Sequence, residues 1–132
     1  MKIAREFWFS MGHTLANYDG KCANLHGHNY RLQVVVENEQ LNEQQMVMDF
    51  SDLKDIVNAV IDEQYDHRFL VAAFDARANL IQNIDPTVVI EPYNPTAEMI
   101  AQAIKTSINV NLHTASLFKI VLWETENSYA EI

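Results

Sequence analysis

The chain has 132 residues, with 18 acidic against nine basic ones, and its formal net charge of −9 with no basic stripe excludes a nucleic-acid partner. Apolar residues make up 48% and aromatics 10%, which excludes disorder and is enough for the core of one domain spanning 1–132. One cysteine excludes an intramolecular disulfide, Met1–Glu6 lacks the apolar stretch of a signal peptide, and no apolar run nears the ~20 residues of a membrane span, so a cytoplasmic protein without a membrane partner is expected.

Residues 2–10, with Ile3, Phe7, Trp8 and Phe9, read as a strand carrying His13 just past its end. A loop of turn formers (Asn17, Asp19, Gly20) delivers Cys22, and residues 28–37 read as a second strand. Over 50–64 the period changes: Leu53, Ile56, Val57, Val60 and Ile61 recur at three and four, one face of a helix with Asp49 or Ser51 as its cap. A second helix is predicted from Asn94, with Pro95 at its first position and Ile100, Ala103, Ile104 and Ile108 as its buried stripe. Val88–Ile90 are a short strand or an extended connection, and residues 71–85 supply no motif. Residues 116–124 return to strand, with Phe118, Ile120 and Leu122 on one face and Leu117, Val121 and Trp123 on the other. A last short strand is expected at 128–132. The order ββααββ predicts an α+β domain in which two helices cover one face of a four-stranded antiparallel sheet. The uncovered face is rich in apolar residues and the sheet has two free edges, a problem that oligomerisation solves.

The chemistry concentrates near the first hairpin. His26 and His28 are two apart on an extended segment, so their rings project from one face, and Gly27 between them crowds nothing. His13 from the neighbouring strand makes a third imidazole, the ligand set of a catalytic zinc with an open fourth position. Cys22 beside it reads as a proton-transfer group or as a small buried hydrophobe. Asp66-His67 is either a pair ending a helix or an acid/base couple in which the carboxylate orients the ring. Glu124, at the end of an apolar strand, is either a solvated strand end or a bidentate acceptor for a guanidine-like ring edge. His113 reads as a surface or satisfied core histidine.

Taken together, several stretches resemble the 6-pyruvoyltetrahydropterin synthase family. They are Phe9-Ser10 with His13, Gly20-Lys21-Cys22, Leu25-His26-Gly27-His28-Asn29-Tyr30, Met48-Asp49-Phe50 leading into Asp52-Leu53-Lys54, Asp66-His67 with Leu70, Pro95-Thr96-Ala97-Glu98, and Glu124-Thr125. They follow the family's order over nearly the whole chain. The three residues between Cys22 and His26 are typical of its 6-carboxy-5,6,7,8-tetrahydropterin synthase branch. The resemblance implies a tunnelling fold, in which trimers close their sheets into a barrel and two trimers stack into a homohexamer. It implies zinc on His13, His26 and His28, and a proton-transfer set of Cys22, Asp66 and His67. Glu124 would anchor a pterin ring, with Thr96 and Glu98 nearby. The implied reaction is a lyase step on 7,8-dihydroneopterin triphosphate in queuosine biosynthesis. Lys21, Arg31 and Arg68 are the basic candidates for the triphosphate, by proximity to the motifs.

Overall fold

The computed structural model describes residues 1–132. Its centre is a long hairpin of β1 (Lys2–His13) and β2 (His26–Glu37), in unbroken antiparallel register from Lys2↔Glu37 to His13↔His26. Both strands run further toward the loop than the apolar pattern predicted, so His13 lies on β1 and His26 on β2. Alternation buries Phe7, Phe9, Met11 and His13 of β1 and Tyr30, Leu32, Val34 and Val36 of β2 on one face.

Two helices cover that face. In α1 (Phe50–Gln64) Leu53, Val57, Val60 and Ile61 are buried, and the Asp49 carboxylate caps the start by accepting the Ser51 N–H. In α3 (Ala97–Asn111) the cap is Thr96, whose hydroxyl accepts the Met99 N–H. Pro95 therefore precedes the cap and is not the first helical residue. Ala101, not Ala103, completes the buried stripe of α3 with Ile100, Ile104 and Ile108.

Besides these, the chain forms β3 (Phe69–Ala72), α2 (Ala78–Ile84), β4 (Val89–Glu91), β5 (Ser116–Trp123) and β6 (Tyr129–Glu131). The sheet order is β4-β3-β1-β2-β5-β6. The expected antiparallel four (β1, β2, β5, β6) are contiguous, and the α+β class stands. The sheet nevertheless has six strands and the domain three helices. β3 runs parallel to β1, and β4 runs parallel to β3. These strands have four and three residues, too short to show an alternation in sequence. Leu70 joins the main core, while Val71 packs with Ala78, Ile81 and Val88, so α2 covers only one edge of the otherwise open face.

The register also corrects the faces of β5. Val35 pairs with Lys119 but Val36 pairs with Leu117, a bulge in which Phe118 is the extra residue. The bulge reverses the alternation, so Leu117 packs on the core with Ile120 and Leu122 while Phe118 is exposed. Phe118, Trp8 and Tyr129 are large exposed aromatics on the strands of this sheet.

Candidate active site

The in-register end of the hairpin sets three imidazoles on the helix-covered face. His13 faces His26 across the ladder, and His28 faces Met11. The ring centroids of His13 lie 4.5 Å from His26 and 5.2 Å from His28, with 4.9 Å between the latter two. One ligand atom from each lies within 4.8 Å of the others. Two of the rings are fixed by main-chain carbonyls. Nδ1–H of His13 donates to the Pro95 carbonyl and Nδ1–H of His26 to the Asn24 carbonyl, each at 2.7 Å. A carbonyl only accepts, so both protons sit on Nδ1 and both Nε2 lone pairs are left free. Nε2 of His26 and of His28 are buried without a hydrogen-bond partner. Buried polar atoms are ordinarily satisfied. Orphaned nitrogens converging on one point are what a metal ion would satisfy, so the donor set fits one.

The surroundings disfavour protonation of two of these rings. Burial, the largest effect, holds His13 and His28 below the ordinary imidazole value against the opposing pull of the Glu124 carboxylate. Glu124 directly follows β5, and its Oε1 stands 3.4 Å from Nε2 of His13 and 3.9 Å from Nε2 of His28. The Tyr30 hydroxyl is 3.5 Å from Nε2 of His13, and burial, then Glu124 and Cys22, push it well above its ordinary value.

Comparison with known proteins bears on this geometry. The model of the family described as 6-pyruvoyl tetrahydropterin synthase matches residues 2–132. The chain belongs to this family. It is 40% identical over 137 aligned positions to a 6-carboxy-5,6,7,8-tetrahydropterin synthase of Haemophilus influenzae, covering 98% of this chain and 96% of that one. A protein of the same name from Rickettsia bellii is 32% identical, covering 100% and 99%. Among solved structures, an uncharacterized protein of Wolinella succinogenes superposes with a TM-score of 0.87 at 22% identity, over 100% of this chain and 97% of that one. The Caenorhabditis elegans 6-pyruvoyl tetrahydropterin synthase does so at 0.77 and 24%, over 100% and 94%. At these identities the superpositions show the fold.

Within this member of the 6-pyruvoyl tetrahydropterin synthase family, the other candidate residues are spread around the histidines. Cys22 is half-buried on a 3-10 turn, Lys21–Ala23, with its carbonyl accepting the Leu15 N–H at 2.9 Å. Asp66 and His67 form a pair, Nδ1 to Oδ2 at 2.9 Å, with the His67 side chain 82% exposed. Burial pushes the Asp66 carboxyl up, but the Ser10 N–H and the His67 ring outweigh it and hold the group below its usual range. His67 has φ of 58°, a left-handed conformation that costs a non-glycine residue about 1–2 kcal/mol. No hydrogen bond or ion pair joins Asp66 or His67 to the three-histidine cluster.

His67 and Arg68 border a cavity of about 390 Å3 with Ser10, Gly12, Gly27 and Asn29, residues that alternate with the clustered histidines along both strands. This cavity therefore opens mainly on the other side of the sheet, although Met11 and His28 of the histidine face also line it. The hydroxyl of Thr96 is engaged as the α3 cap and Glu98 is exposed in the first turn. Of the basic candidates, Arg68 lines the cavity, Arg31 lies 3.9 Å over the Trp123 ring and Lys21 is exposed.

Sequence reasoning missed Tyr30 as a neighbour of His13, although it stands two residues beyond His28 on the same face and the alternation would have found it. It also missed the Pro95 and Asn24 carbonyls, which leave no signal in a side-chain pattern.

Proposed function

We propose that this single-domain protein is a zinc-dependent lyase that converts 7,8-dihydroneopterin 3'-triphosphate and one water to 6-carboxy-5,6,7,8-tetrahydropterin, triphosphate and acetaldehyde, in the cytoplasmic queuosine pathway. The observation that carries the reading is the convergence of three imidazoles, two of them with orphaned Nε2 atoms, beside Glu124. The full-length similarity to proteins named for the carboxy product favours that product over the pyruvoyl one.

His13, His26 and His28 would hold the zinc, which supplies Lewis-acid polarisation of the substrate's side-chain oxygens. Glu124 accepts the N–H donors of the pterin edge, a charge-assisted geometry that orients the ring. Cys22, as thiolate, removes a proton from the substrate side chain. His67 returns a proton from its ring nitrogen, with Asp66 holding Nδ1–H and so fixing which nitrogen acts. Thr96 and Glu98 border the substrate next to the Pro95 carbonyl, and Arg68 faces the triphosphate.

In one subunit the His67 cavity lies mainly on the opposite side of the sheet from the histidine cluster. This supports a site shared between subunits, with Asp66-His67 of one copy completing the Cys22 site of another. The exposed Trp8, Phe118 and Tyr129 and the edge strands β4 and β6 support a barrel of three subunits and a hexamer built as two trimers.

Incubation of the zinc-loaded protein with dihydroneopterin triphosphate, followed by mass spectrometry, tests the reading. The expected product carries a carboxyl at C6 with acetaldehyde released. A pyruvoyl product with no acetaldehyde would place the chain in the other branch, and no turnover would leave it a zinc-holding oligomeric binding module.

A further inference from the structure

The turn that carries Cys22 is held from a segment where the sequence offers no motif. Arg77 stands immediately before α2, and its guanidinium grips Asp75 with two parallel bonds, Nε to Oδ1 at 2.9 Å and Nη2 to Oδ2 at 2.7 Å. The Arg77 main-chain N–H donates to the same Oδ1 at 2.9 Å, so the pair is locked to its own turn. The Asp75 side chain is only 4% exposed, and Arg77 holds its carboxyl below the usual range. Such a carboxylate stays buried and ionised only while its guanidinium is present.

The other guanidinium donors leave this turn. Nη1 donates to the Ala23 carbonyl at 2.7 Å and Nη2 to the Thr14 hydroxyl at 2.9 Å. Thr14, fully buried, donates in turn to the same Ala23 carbonyl at 2.9 Å. Ala23 follows Cys22 and Thr14 follows His13. One planar group thus ties the far side of the cysteine turn to the end of the strand that presents a clustered histidine. The near side of the turn is tied by the Leu15 N–H to Cys22 carbonyl bond.

We propose that Arg77 is a positioning residue, with the Asp75–Arg77 pair fixing the Lys21–Ala23 turn against the end of β1 and thereby setting where the Cys22 thiol stands relative to the histidine cluster. The assignment rests on the proton-transfer role proposed for Cys22. Lysine cannot substitute, because one ammonium nitrogen does not reach both Asp75 oxygens, Thr14 and Ala23 at once. A thiol misplaced by about 1 Å costs a proton-transfer step on the order of a hundredfold.

The test compares Arg77→Lys and Arg77→Gln with the unaltered zinc-loaded protein. Both variants should keep zinc content and KM while kcat falls on the order of a hundredfold, because only the reacting geometry is lost. Cys22 is the one cysteine of the chain, so iodoacetamide uptake reads its turn directly. Alkylation should quicken on the order of tenfold as the turn opens more easily. Arg77→Lys, the milder change, carries the test if Arg77→Gln does not fold. Alkylation of Arg77→Lys at the unaltered rate overturns the assignment whatever turnover does. With Cys22→Ala inactive, full kcat in Arg77→Lys also overturns it. A fully active Cys22→Ala overturns instead the role of the thiol, while alkylation still decides whether Arg77 holds the turn.

Discussion

Truncating His13 and truncating His28 should have the same effect on metal and different effects on the fold. His13 is 1% exposed, and its Nδ1–H is the partner of the Pro95 carbonyl just before the α3 cap. In His13→Ala that carbonyl is stranded, at about 1–3 kcal/mol, and the void left by a buried ring adds ~2 kcal/mol. The metal-free variant should therefore lose about 3–5 kcal/mol, summed from those terms. His28 has a side chain 20% exposed, and its buried Nε2 has no partner, so His28→Ala strands no acceptor and should cost about 1 kcal/mol or less. Both variants should lose a ligand of the proposed zinc, and with it the stabilisation that excess zinc would confer, ~2.7 kcal/mol at a hundred times Kd. Urea unfolding in chelator and in excess zinc reads both quantities. Equal losses for the two variants in chelator would refute the assignment of His13 as a ring fixed by the Pro95 carbonyl. A zinc-dependent shift retained in either would refute its place in the ligand set.

Glu124→Gln should weaken pterin affinity about tenfold to hundredfold, the worth of a charged hydrogen-bond pair, and unchanged affinity by titration would return Glu124 to a solvated strand end. His67→Gly should abolish turnover yet keep stability within about 0.5 kcal/mol, because glycine relieves the left-handed backbone while adding unfolded-state freedom, and a large loss of stability would contradict that account. Burial holds His13 and His28 below 6.5, so the unfolded chain binds more protons than the folded one as pH falls through that value. Stability of the metal-free protein should be full above about 6.5 and fall on acidification by up to about 1.4 kcal/mol per pH unit for each ring, and unfolding curves that strengthen from pH 7 to 5 would contradict the sign.

The three-histidine cluster was legible because it depends on local rules. Two-residue spacing on a strand set His26 and His28 on one side, and a hairpin brought His13 opposite. Helix α1 was legible in its period, and Asp49, one of the two caps the sequence offered, caps it. What escaped depends on tertiary context. The bulge at Val35/Val36 cannot be read from either strand alone, so the faces of β5 were inverted up to Phe118. β3 owes its strand form to β1 beside it, since four residues carry no pattern of their own, and pairing with β3 makes β4 the short strand that was one of two readings of Val88–Ile90. Arg77 is invisible to motif reasoning, because its partners Thr14 and Ala23 lie 63 and 54 positions away and one of them is a carbonyl.

X-ray absorption at the zinc edge of the loaded protein addresses the central claim, that three imidazoles hold the metal and leave Cys22 free to move protons. The account predicts nitrogen and oxygen scatterers alone at ~2.0–2.1 Å, with the spectrum unchanged in Cys22→Ala. A sulfur scatterer at ~2.3 Å that disappears in Cys22→Ala would make the thiol a ligand and contradict the account.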